Sequence, residues 1–257
     1  MSKEKLEMRL REKSAANEKL FIPYIMAGDG GLDILEERIN FLEECGASAI
    51  ELGIPFSDPV ADGPTIQEAG LRALGSGTTL TAVLNTLQDF REKRSVPIIL
   101  MTYLNPIFVY GIEKFAIDCK KSGVDGVIIP DLPLEEENIV VDFLKENAIA
   151  FIRLAAMTSP KSRLIELAAK SEGFLYAVSV TGTTGVRAVH DKEVKAYLEM
   201  LRDNSPVPVL AGFGVSTIEQ AQELGSHSDG VIVGSKIVDL LHNGDLAQIR
   251  ALIQGSI

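Results

Sequence analysis

The chain is predicted to be an α/β protein, a single (β/α)8 TIM barrel domain over residues 1–257 with an extra N-terminal helix and extra short helices. Three observations carry that prediction. Eight short β-rich runs recur along the sequence, helical periodicity fills the spaces between them, and no Pro/Gly/Ser-rich linker divides the chain. Strands alternating with helices imply a parallel sheet joined by right-handed crossovers. Eight such units in 257 residues match a closed barrel better than an open sheet. A doubly wound sheet would want a Gly-rich turn directly after the first strand, and Gly28-Asp29-Gly30-Gly31 only weakly approximates one.

In chain order the β-rich runs are 21–26, 49–54, 97–101, 126–130, 150–154, 174–178, 208–211 and 230–233. Between the first two, Leu32, Leu35, Ile39 and Leu42 follow the 3/4 spacing of an amphipathic helix, which Gly46 ends. A short extra helix fits 65–73, and a long one 79–93. Similar patterns predict helices over 113–121, 134–146, 160–170, 192–202 and 216–224.

Composition narrows the class of function. A hydrophobic fraction of 46% and a charged fraction of 24% are ordinary for a globular enzyme. With 36 acidic against 25 basic residues the net charge is −11, which argues against a nucleic-acid partner. An anionic substrate must then be held by local backbone geometry. No stretch reaches the ~20 apolar residues of a membrane span or reads as a signal peptide, so a cytoplasmic location is expected. Cys45 and Cys119 lack metal-ligand spacing and read as small buried hydrophobes.

The stretch from Ala49 to Ile66 is the most informative. In a strand, Ile50, Leu52 and Ile54 share one face while Ala49, Glu51 and Gly53 share the other. If the aliphatic residues pack on helices, Glu51 points into the barrel. There burial raises its pKa and suits it to move protons near neutrality; a structural glutamate bonded to a neighbouring strand is the competing reading. Asp58 and Asp62 follow in a loop of Pro and Gly, read either as turn formers or as parts of a lid or docking surface. Asp131 ends the fourth run, in a catalytic-type position that also suits a cap. Tyr176 is either core or a hydroxyl offered to the site.

Phosphate sites in this fold are typically built after the seventh and eighth strands. Here Gly212-Phe213-Gly214 follows the seventh run and Gly234-Ser235 the eighth, with Gly182-Thr183-Thr184-Gly185 after the sixth. Glycines let backbone N–H groups approach an anion, and three such sets favour a phosphate monoester over mere turns. No lysine lies within the eight runs, which argues against a Schiff-base aldolase. His190, His227 and His242 lie in loops or helices rather than at strand ends, so no metal site is expected. What remains is carboxylate acid–base chemistry on a phosphorylated substrate.

The segment Glu-Leu-Gly-Ile-Pro-Phe-Ser-Asp-Pro-Val-Ala-Asp-Gly-Pro-Thr, residues 51–65, resembles the signature of the tryptophan synthase α-subunit family. The resemblance extends along the whole chain. It implies cleavage of indole-3-glycerol phosphate to indole and glyceraldehyde 3-phosphate, with indole passing to a β subunit in an αββα assembly. A stand-alone lyase on the same substrate is the alternative. Pyridoxal phosphate is implied only on the β partner, with no cofactor in this chain.

The resemblance also implies roles. Glu51 matches the catalytic glutamate that protonates indole C3, Asp62 the aspartate that accepts the indole N–H, and Tyr176 the tyrosine beside the glutamate. Gly185, Gly214, Gly234 and Ser235 match phosphate contacts; Tyr24, Tyr103 and Phe213 match the indole pocket. Thr184 matches a residue of the mobile closing loop, and the 55–59 loop, with Pro55 and Asp58, matches the face that docks on the β subunit. Two features depart from the family. Ala155-Ala156-Met157-Thr158 stands where a proline-containing turn is expected, and Arg153 sits in a normally apolar strand. An Arg153 facing inward with Phe151 and Ala155 would pair with a carboxylate and lower its pKa, Glu51 included.

Overall fold

The computed structural model describes residues 2–178, 187–212 and 214–257. The parallel strands are β1 (Leu20–Met26), β2 (Ile50–Gly53), β3 (Ile98–Met101), β4 (Gly126–Ile128), β5 (Ala150–Phe151), β6 (Arg153–Ala156), β7 (Leu175–Val178), β8 (Val209–Gly212) and β9 (Gly230–Val233). They form one sheet in the order β5-β4-β3-β2-β1-β9-β8-β7-β6. Its two edge strands are halves of the fifth expected run, separated only by Ile152. β5 pairs with β4 and β6 with β7, so the chain itself closes the barrel at Ile152. The fifth strand divides because its N-terminal half finds a partner on one side and its C-terminal half on the other.

The helices are α1 (Ser2–Ala15), α2 (Leu35–Glu44), α3 (Pro64–Gly75), α4 (Leu80–Asp89), α5 (Leu104–Tyr110), α6 (Ile112–Ser122), α7 (Asn138–Glu146), α8 (Lys161–Lys170), α9 (Arg187–Asn204), α10 (Ile218–His227), α11 (Ser235–His242) and α12 (Leu246–Ser256). The expected helices all occur, with shifted ends. The 79–93 stretch divides into α4 and a 3-10 turn at Arg91–Lys93, and 134–146 into a 3-10 turn at Leu134–Glu136 and α7. Thr79 caps α4 by accepting from the Ala82 N–H at 3.2 Å.

Two apolar layers result. Ile50, Leu52 and Ile54 pack outward with Leu35, Ile39, Leu42 and Val83, between sheet and helices. Ile22, Ala49, Ile99, Ile128, Ile152, Phe174, Leu210 and Ile232 fill the interior, and Leu6 and Leu10 of α1, both fully buried, join that inner cluster. Cys45 and Cys119 are buried free thiols, as expected.

Candidate active site

The parity of β2 turns Glu51 inward, opposite the outward aliphatic residues, level with Tyr24 of β1 and Ile99 of β3. Glu51 is 1% exposed, and among the described residues neither of its carboxylate oxygens has a hydrogen-bond partner. Burial, reinforced by the charge of Asp62, pushes its carboxyl up to about 8. A structural glutamate would be bonded; among the described residues this one has no group that accepts its proton.

Asp62 lies in the loop between β2 and α3. Burial raises its carboxyl to about 6, while a hydrogen bond from Tyr103 opposes the rise. The Tyr103 hydroxyl also accepts from the Ala61 N–H at 2.9 Å, and its ring sits 5.4 Å from that of Phe56. Tyr103, expected only in a pocket wall, therefore also anchors the loop that carries Asp62. Burial holds its phenol near 12. The phenols of Tyr24 and Tyr176 are pushed well up by burial and then by nearby negative charge: Asp62 and Glu51 around Tyr24, Glu51 around Tyr176. Five of the predicted residues thus share one electrostatic cluster, and its two carboxyls sit at different pKa values. Near pH 7 Glu51 is predominantly protonated and Asp62 predominantly charged, a division suited to an acid beside an acceptor.

Two glycines make this cluster possible, Gly53, which sequence reasoning left without a role, and Gly212, which it read only as part of an anion-binding turn. A Cβ on Gly53 would lie 1.9 Å from the Tyr24 hydroxyl, and one on Gly212 would lie 2.2 Å from the Tyr176 ring. Each phenol leans over a strand backbone that only glycine leaves open. The available signal was a glycine inside a strand, which marks close approach.

Of the expected phosphate contacts, Gly214 has φ +65° and is exposed. Gly234 caps α11 and Ser235 begins it, so first-turn N–H groups face outward beside an exposed hydroxyl. A Cβ on Gly234 would meet Tyr24 at 3.7 Å, so this turn adjoins Tyr24. Thr184, Gly185 and Phe213 lie outside the described residues. Pro55 is buried, whereas Asp58 is exposed and accepts from the Ser57 hydroxyl at 2.5 Å. Asp131 takes the capping option: it accepts from the Leu104 N–H, at the start of α5, at 2.9 Å.

Arg153 does not face the barrel interior. Phe151, Arg153 and Ala155 share the outer parity, and Arg153 makes a fork on Glu137 at 2.9 and 2.8 Å, over the Phe151 ring. It therefore exerts no pull on Glu51. Among the described residues no group of three or more His, Cys, Asp or Glu side chains is placed to hold a metal ion. No described helix is long and apolar enough to cross a membrane.

Residues 10–254 match the family model described as tryptophan synthase alpha chain. The tryptophan synthase alpha chain of Oceanobacillus iheyensis is 59% identical over 257 residues, 100% of this chain and 98% of that one. That of Bacillus thuringiensis subsp. konkukian is 50% identical over 248 residues, 96% of each chain. The crystal structure of tryptophan synthase subunit alpha from Legionella pneumophila superposes with a TM-score of 0.89 at 34% identity, covering 98% of this chain and 96% of that chain. A structure of Mycobacterium tuberculosis tryptophan synthase gives 0.88 at 33% identity, with 98% and 96% covered.

Proposed function

The chain belongs to the tryptophan synthase alpha chain family, lyases of tryptophan biosynthesis, and on that premise we propose how its residues divide the work. The observation that carries the reading is Glu51, a buried carboxyl without a hydrogen-bond partner among the described residues, which burial holds protonated at neutral pH, close enough to Asp62 to feel its charge.

Indole-3-glycerol phosphate binds with its phosphate on the N–H groups around Gly185, Gly214, Gly234 and Ser235, and its ring among Tyr24, Tyr103 and Phe213. Glu51 delivers its proton to indole C3, which converts the ring to an iminium and makes C3 a competent leaving group. Asp62 accepts a hydrogen bond from the ring N–H and offsets the charge that forms there. The Glu51 carboxylate then takes the proton of the glycerol hydroxyl as the C–C bond breaks. The bonding pair flows into the ring and restores indole, the hydroxyl carbon becomes the aldehyde of glyceraldehyde 3-phosphate, and Glu51 ends the cycle protonated. The resemblance gives Tyr176 the place beside Glu51, where its phenol feels the charge of that carboxylate, and gives Thr184 a part in closure over the substrate. No step calls on a cofactor of this chain.

The partner is a β subunit carrying pyridoxal phosphate, in an αββα assembly in the cytoplasm. An apolar surface supports this docking face. Val60 is 84% exposed beside the 55–59 loop, and Phe108 and Val109 are 68% and 79% exposed on α5, whose N-cap Tyr103 grips that loop. The test is turnover by Glu51→Gln and Asp62→Asn. Glu51→Gln should fold, bind glycerol 3-phosphate and release no indole, and Asp62→Asn should lose most of its rate. Wild-type turnover by Glu51→Gln would refute the assignment.

A further inference from the structure

α3 is not one of the barrel's own crossover helices, because α4 follows it before β3. It lies against the end of β1 and against α11. Its buried face is Ile66, Ala69, Gly70 and Ala73. Three of these four are small, and Met26 Cε stands 3.6 Å from where a Cβ on Gly70 would be. Such a face allows close approach but offers few protruding side chains to fix where the helix stops along its axis.

A polar clamp at the far end of the helix does that instead. Arg72 donates through Nε at 2.7 Å and Nη2 at 2.8 Å to the two oxygens of Asp29, which is 6% exposed. Two parallel bonds between planar groups fix rotation as well as translation. The turn that carries Asp29 is itself held. Gly28, Gly30 and Gly31 take φ of 80°, 89° and 108°, Arg38 donates to the Asp29 carbonyl, and Thr78 fills the space a Cβ on Gly28 would need. Arg72 stands ~12 Å along the helix from Pro64, its first residue. Asp62 lies just ahead of Pro64.

From this geometry we infer that Asp29 and Arg72 are positioning residues for Asp62: the clamp sets how far α3, and the loop end attached to it, reaches over the barrel mouth. The inference rests on the role given to Asp62 above. α11 is packed on β1 and α12 as well as on α3, so the phosphate turn keeps its place without the clamp.

The test is a double-mutant cycle on indole release, run with the chain complexed to a β subunit. Asp29→Asn and Arg72→Gln should each lower kcat about 10- to 100-fold, the scale of a small misplacement of a reacting group. Affinity for glycerol 3-phosphate should stay within about threefold, because the lost contact is remote from the anion. Asp29→Asn combined with Asp62→Asn should be no slower than Asp62→Asn alone, since the clamp acts through that carboxylate. If Asp29→Asn does not fold, Arg72→Gln carries the same cycle from a side chain that is 33% exposed. Effects that multiply in the double variant, or a lowered Tm with kcat unchanged, would overturn the inference. Normal turnover by Asp62→Asn alone would remove the role given to Asp62 and this inference with it.

Discussion

Replacing Glu51 with Gln should make the protein more stable above neutral pH, although it removes the group proposed to move the proton. The carboxyl is pushed from 4.5 to about 8 by burial and by Asp62. Below about pH 4.5 both the folded and the unfolded chain are protonated, and the group contributes nothing to the difference. Between there and pH 8 the unfolded chain releases the proton while the folded chain retains it, so folding is penalised by about 1.4 kcal/mol more for each pH unit. Above pH 8 the penalty is constant. A gap of roughly 3.5 units gives a ceiling near ~5 kcal/mol, which water entry and relaxation around the charged form reduce to about 2–4 kcal/mol. Gln has nearly the same shape and does not titrate, so whatever its amide costs is independent of pH. Urea unfolding of both proteins at about pH 5, 7 and 8.5 reads the effect. The advantage of Glu51→Gln should be smallest at the lowest pH and grow with each step. A difference that stays flat, or shrinks as pH rises, would refute the claim that Glu51 keeps its proton by burial.

The same two carboxyls predict a bell-shaped pH dependence of kcat/KM for indole release: rising as Asp62 loses its proton near 6, falling as Glu51 loses its own near 8. An alkaline limb that stays level well past 8 would contradict the assignment of the acid. Gly53→Ala places a methyl 1.9 Å from the Tyr24 hydroxyl, so the phenol must move. Calorimetry should show a loss of about 1–3 kcal/mol, and kcat should fall at least about tenfold. Arg153→Met strands the buried Glu137 carboxylate and should cost about 3–5 kcal/mol in urea titrations, while Arg153→Met with Glu137→Leu recovers most of it. Because that pair faces away from Glu51, kcat should stay close to wild type below the melting range.

The barrel was legible because its signal is repetition, β-rich runs at regular spacing with helical periodicity between them. In the second run Ile50, Leu52 and Ile54 share one face, and once that face packs on helices alternation leaves Glu51 on the inner one. What the residues hid was tertiary choice. Arg153 shares the parity of Phe151 and Ala155, and nothing local says that this set faces outward; the split of the fifth strand at Ile152 and the offer of Glu137 from α7 decide it. Tyr103 reads as an aromatic wall, yet its hydroxyl ties down Ala61 and Asp62 from another strand's loop. Gly53 and Gly212 look like strand-end turn residues until the two phenols that lean over them are placed. The Asp29 clamp joins positions 43 apart, beyond any periodicity. α5 and α12 fall outside the expected helices, the first because it is only 7 residues long and the second because it follows α11 with no strand between them.

The most direct test of the central claim is indole release from indole-3-glycerol phosphate, measured for the wild-type chain and for Glu51→Gln, each alone and with a tryptophan synthase β subunit. The account predicts slow release by the wild-type chain, strong stimulation by the β subunit, and none from Glu51→Gln in either setting. Release by Glu51→Gln at the wild-type rate, or a wild-type rate the partner leaves unchanged, would contradict it.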